Sequence, residues 1–113
     1  MHELSLATEV IELVQREAGK KGVSAVLGIT IEVGDLSGVE ADAFQSALEL
    51  IIKDTILDRA AVVITRTPGI GYCRNCNKEF EMKHRLDVCP ECHCFPSEFN
   101  GGQEFRVLSI EAE

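Results

Sequence analysis

The sequence predicts an α+β fold: two helices packed on a small three-stranded mixed sheet, with a four-cysteine module inserted before the last strand. Three observations carry that expectation. Two segments repeat apolar residues at helical spacing, three read as strands, and two CxxC pairs fall between the second and third strands. A chain of 113 residues with 45% hydrophobic side chains can bury one core and carry a small metal-held module. It is too short for two ordinary domains.

Residues 4–18 place Leu4, Ala7, Val10, Ile11 and Val14 on one helical stripe, with Leu6 and Leu13 beside it. Glu9, Glu12, Gln15 and Arg16 lie on the outer side. Gly19 and Gly22 flank Lys20-Lys21, stopping the helix and setting positive charge at its C-terminal end. Leu27, Ile29, Ile31 and Val33 then alternate with Gly28, Thr30 and Glu32, which predicts a half-buried strand. The run from Gly34 to Gly38 reads as a loop. A second helix over about 40–53 turns Ala41, Phe44, Leu48, Ile51 and Ile52 inward. Residues 61–65 form the second strand, ended by Pro68-Gly69. After Gly101-Gly102, a hinge or turn, residues 105–110 form the third. That last strand has no core of its own and is expected to return to the sheet of the first two. Residues 1–69 plus 101–113 therefore make one α/β domain, and residues 70–100 an inserted module.

The module carries Cys73-Arg74-Asn75-Cys76 and Cys89-Pro90-Glu91-Cys92. Each CxxC holds two thiolates on one tight turn, and two such turns facing each other form the sulfur tetrahedron that Zn(II) takes in closed structural sites. The residues between the pairs suffice for one short hairpin. A redox CxxC would occur once, at the start of a helix, and a disulfide framework would want a secreted chain. Both fit poorly, because the motif is doubled and Asn75 and Pro90 favour turns. Phe80, Met82, Leu86 and Val88 are the only bulky apolar residues between the pairs, too little core to fold alone, so this zinc-ribbon module must draw on metal binding. Cys73, Cys76, Cys89 and Cys92 are the expected ligands. With no open coordination position, such a site is structural rather than catalytic. His93, Cys94 and His84 stand nearby. The plain reading is two surface histidines and a spare thiol; the sharper one lets His93 or Cys94 enter the zinc shell.

The N-terminus offers a second metal-binding pattern. In Met1-His2-Glu3, the α-amino group, the backbone nitrogen of His2 and its imidazole can close fused chelate rings around one ion. Ni(II) and Cu(II) accept such a square plane of nitrogens, whereas Zn(II) and Mg(II) rarely do. The backbone nitrogen of Glu3 can fill the fourth position, with its carboxylate alongside. Leu4 starts the core helix at once, so this terminus is anchored to the fold.

A formal net charge of −8 argues against nucleic-acid binding, which rests on Lys and Arg neutralising phosphates. No stretch reaches membrane-spanning length, and the first residues lack the apolar core of a signal peptide. A cytoplasmic, reducing location is expected, one that keeps the thiols available for metal. No phosphate loop, GxSxG or HExxH motif suggests an enzyme.

Taken together, Met1-His2-Glu3-Leu4-Ser5-Leu6, the segment Val33-Gly34-Asp35-Leu36-Ser37-Gly38-Val39-Glu40, and two CxxC pairs ahead of a final strand resemble the HypA/HybF hydrogenase maturation factors. The resemblance runs over essentially the whole chain. It implies a nickel metallochaperone, not an enzyme, that helps load Ni(II) into the large subunit of [NiFe]-hydrogenase. It also implies a HypB-type GTPase as partner and, for some members, service to urease. The implied nickel site is His2 with the Met1 amine and Glu3 beside it; the implied Zn(II) site is Cys73, Cys76, Cys89 and Cys92. Cys94 departs from the usual pattern, whereas a His at position 93 does not. A monomer or weak homodimer is expected.

Overall fold

The computed structural model describes residues 3–113. Met1 and His2, where two of the expected nickel ligands fall, lie outside the described residues.

Helix α1 (Glu3–Lys20) buries Leu6, Ala7, Val10, Ile11, Val14 and Ala18, spaced by three and four as one apolar stripe requires. The stripe is rotated slightly from the expected one: Leu6 turns in and Leu4 is 51% exposed. Gly22, at φ +67°, ends the helix, and the Val23 N–H donates back to the Ala18 carbonyl at 2.9 Å. Strand β1 (Val26–Gly34) is central to the first sheet. Strand β2 (Ala61–Thr67) pairs with it in parallel, Ile31 opposite Ile64. Helix α2 (Ala41–Ile51) supplies the long crossover that a parallel pair needs. The last strand of the chain (Phe105–Ala112) returns antiparallel to the other side of β1, Ile29 opposite Ile110. The sheet is therefore mixed and three-stranded, as the sequence implied.

One core cluster joins the two helices to Ile29, Ile31, Val33 and Leu57. Phe44 is fully buried and meets Phe105 edge-on, ring centres 5.1 Å apart. Burial of each large side chain of this kind contributes about 1.5–3 kcal/mol.

The expected alternation starting at Leu27 is wrong at its first residue. The ladder between β1 and the last strand slips twice, between Val26 and Gly28 and between Thr30 and Ile31. Each slip leaves an extra residue outside the pairing, which turns it outward and inverts the alternation. Leu27 is accordingly 54% exposed and Leu108 48% exposed.

The insert builds a sheet of its own, from β3 (Gly69–Cys73), β4 (Lys78–Met82) and β5 (Glu98–Asn100), with β3 in the middle and both pairings antiparallel. This corrects the single hairpin expected between the cysteine pairs. The hairpin instead turns at the first CxxC, and β4 then leads towards the second. The returning strand of the first sheet is thus β6. The molecule is elongated, 54 × 24 × 18 Å.

The two sheets meet where the insert leaves and rejoins the core. Backbones pack so closely there that side chains are excluded. The Gly34 N–H donates to the Glu104 carbonyl at 2.7 Å, and a Cβ on Gly34 would lie 2.1 Å from the Gly102 oxygen.

Candidate metal centre

Strand β3 ends on Cys73, and the following turn, with Asn77 at φ +55°, carries Cys76 back over it. The Cys76 N–H points at the Cys73 sulfur, 3.4 Å away. The second pair is shaped by backbone bonds of the same tightness. His93 donates to the Cys89 carbonyl at 2.9 Å, and Cys89 donates to the Cys94 carbonyl at 2.9 Å. His93 sits at φ +63°, a left-handed conformation that closes this turn.

The two turns face each other. The four sulfurs of Cys73, Cys76, Cys89 and Cys92 all lie within 4.8 Å of one another. Cys73 and Cys92 are 3.4 Å apart, and Cys76 and Cys89 are 3.9 Å apart. A tetrahedral ion with metal–sulfur bonds of about 2.3 Å needs sulfur–sulfur edges of about 3.8 Å. The donor set, its spacing and its closed form are therefore compatible with Zn(II). Cys73 and Cys89 are buried, and Cys76 and Cys92 are partly so. Among the described residues no other group of three or more metal-ligating side chains converges in this way.

Crowded thiols do not titrate alike. The Cys92 thiol is pulled down to about 6, chiefly by the backbone of Cys94 and then by the side chain of Asn75, which favour its thiolate. Cys76 is pushed up to about 12, first by Cys92 and then by burial. At Cys73 the Cys76 backbone works downward, but burial and the neighbouring thiols outweigh it and the thiol is raised. Cys92 thus favours its thiolate where Cys73 and Cys76 favour the neutral thiol.

The sequence model described as hydrogenase/urease nickel incorporation, metallochaperone, HypA, matches residues 1–112. The chain belongs to the HypA family. It is 41% identical to the hydrogenase maturation factor HypA of Geobacter metallireducens over 113 residues, the whole of both chains. It is 40% identical to that of Geotalea uraniireducens, again over the whole of both. Among solved structures, the solution structure of the Ni metallochaperone HypA from Helicobacter pylori superposes with a TM-score of 0.66 at 25% identity, covering 99% of this chain and 97% of that one. HypA proteins are metallochaperones of hydrogenase maturation, a carrier's role rather than a catalyst's.

Within this chain of the HypA family the expected site residues divide. The four cysteines are brought together. Glu3 is half-buried in the first turn of α1, beside the undescribed Met1 and His2. Cys94 stays outside the cage, exposed, its thiol raised chiefly by the neighbouring Cys92. His93 is exposed and serves through its backbone. His84 is exposed on a turn that Asp87 closes, accepting from the N–H groups of Lys83 at 2.8 Å and His84 at 3.1 Å. Those two bonds hold the Asp87 carboxyl below its ordinary range. Two contributors were not visible in the sequence: Asn75, whose side chain favours the Cys92 thiolate, and Asp87, whose turn precedes the second pair. An acid three or four residues after the N–H groups it caps is the signal that could have shown the latter.

Among the described residues no helix is long and apolar enough to cross a membrane.

Proposed function

We propose that this chain binds Ni(II) at its N-terminus, through the Met1 amine and the backbone nitrogen and imidazole of His2, with Glu3 beside them. It delivers that ion for maturation of the [NiFe]-hydrogenase large subunit. The observation that carries the reading is the match to the nickel-incorporation family across residues 1–112. Its support in the chain is that Met1-His2 leads directly into α1, which begins at Glu3 and packs on the core through one buried apolar stripe. A terminal, planar nitrogen site leaves a face open to a ligand from the recipient, which suits a carrier.

Cys73, Cys76, Cys89 and Cys92 hold Zn(II) as a structural ion. Residues 1–69 plus 101–113 form the nickel-binding domain and residues 70–100 the zinc-binding one. A HypB-type GTPase is the expected co-worker in the cytoplasm, the chain acts as a monomer or weak homodimer, and urease is a second recipient class.

Calorimetric titration of Ni(II) into the zinc-loaded protein tests the reading. Three residues added before Met1 move the amine out of the site and should weaken Ni(II) binding without unfolding the protein. His2→Ala should lose nickel and keep zinc. Unchanged nickel affinity in both variants sinks the N-terminal site. Protons compete at the amine and at His2, whose ordinary pKa values are about 7.7–8 and 6.5, so nickel affinity should fall steeply below pH of roughly 6.5.

A further inference from the structure

Leu36 belongs to the core, two residues past β1, and is 1% exposed. The groups that hold it come from the insert and its two connections. At the departing connection, a Cβ on Gly69 would lie 2.1 Å from the Leu36 Cδ1, so the leucine rests directly on that backbone. At the returning connection, the Gly102 carbonyl accepts from the Leu36 N–H at 2.6 Å. From inside the module, the Arg85 guanidinium donates to the Leu36 carbonyl at 2.9 Å. Among the described residues, that is the one side-chain hydrogen bond between residues 70–100 and the rest of the chain.

The loop bearing Arg85 is held at both ends. Upstream, Met82 is fully buried at the end of β4. Within the loop, the Asp87 carboxylate accepts from Lys83 and His84, and the Asp87 N–H donates to the His84 carbonyl at 3.1 Å. Downstream, two residues past Asp87, stands Cys89, a buried member of the sulfur cage. The guanidinium thus sits on a loop whose downstream end runs into Cys89.

We propose that Arg85 is a latch that fixes the cysteine module on the α/β core through Leu36, and that metal in the cage engages it. An ion that fixes Cys89 holds the downstream end of the loop and keeps the guanidinium on the Leu36 carbonyl. Without it the loop frays, and the module turns about the Thr67–Gly69 and Gly101–Gln103 connections. One guanidinium–carbonyl bond is enough to bias a hinge, and it is readily lost when its loop is freed. A latch of this kind presents the module to a partner in one orientation, which lowers the ordering cost of recognition. The latch rests on Leu36 and Arg85; only its engagement rests on the four cysteines being a metal cage. Since coupling between two events is reciprocal, the latch must also help to retain the metal.

Nuclear spin relaxation on the full chain, saturated with zinc, reads the tumbling of each sheet separately. The wild type should tumble as one body. Arg85→Ala, its zinc content verified, should give a shorter correlation time for residues 70–100 than for the core. Its Leu36 amide should also lose protection from hydrogen exchange while the Ile31 amide keeps it. In chelator competition Arg85→Ala should hold zinc more weakly than the wild type, by about tenfold, the scale of a single hydrogen bond. A zinc-saturated Arg85→Ala protein that tumbles as one body overturns the latch. Unchanged zinc affinity in that variant overturns its engagement by metal. A wild type that takes up no zinc shows itself in the metal assay, and so separates failure of the cage from failure of the latch.

Discussion

Cys92 sets the chemistry of the cage at the scale of single residues. Held at about 6, it is a thiolate at neutral pH, while Cys76, pushed to about 12, stays protonated there. In the metal-free protein at low temperature, iodoacetamide at pH 7 should alkylate Cys92 before the other four cysteines, with peptide mass mapping as the readout. That selectivity should fade as pH drops through about 6. The two thiols act oppositely on stability. The depressed value at Cys92 contributes stability that is present above its ordinary value of 9.0 and is lost as pH falls through about 6. The raised value at Cys76 contributes stability present below 9.0 and lost as pH rises towards about 12. The metal-free module should therefore be most stable near pH 9, and melting followed through Tyr72, the chain's single tyrosine, reports it.

Elements are held to one another by contacts that cross strands. Glu32, on the central strand, accepts from Arg106 of β6 at 2.7 Å and from Thr67 of β2 at 3.0 Å, tying both outer strands to β1. Its side chain is 14% exposed, but that of Arg106 is 61% exposed, so solvent screening keeps the pair modest. Glu32→Ala should lower stability by about 1 kcal/mol, read from the urea midpoint of the far-UV signal. Gly34→Ala at the end of the same strand should cost more, about 3 kcal/mol, because the obstacle is the backbone carbonyl of Gly102 rather than a movable side chain.

The whole molecule is two sheets sharing one narrow junction, so their stabilities should separate when the cage is emptied. The first sheet keeps its core of Phe44, Leu48, Ile29 and Ile31 whatever the metal does. The second has Met82 as its one fully buried large apolar side chain, too small a core to hold the sheet without the ion its sulfur cage would take. Chelation should move the melting transition seen through Tyr72 to lower temperature and leave the far-UV transition of the core in place. A single transition that shifts as a whole would mean that the junction transmits far more than one leucine and one arginine can.

The sequence by itself determined which residues could be inside and which chemistry was present. Apolar spacing in α1 and α2 and the β-branched runs of β1 and β2 specify faces locally, and a doubled CxxC specifies a sulfur cage because thiolates at that spacing share one turn. The return of β6 to β1 was legible too, since its apolar residues had nowhere else to be buried. What only the tertiary structure decided depends on partners far away in the chain. Leu27 faces outward because a ladder slip against β6 is not encoded in β1 alone. The hairpin turns at the first CxxC because β3, which ends on Cys73, pairs with β4 just beyond that turn. Cys92, rather than Cys73 or Cys76, holds the charge because the backbone of Cys94 and the side chain of Asn75 happen to converge on it. Arg85 reaches Leu36 across the junction of two sheets, a contact with no local signature, because hydrogen bonds and close packing answer to distance in space and not to separation along the chain.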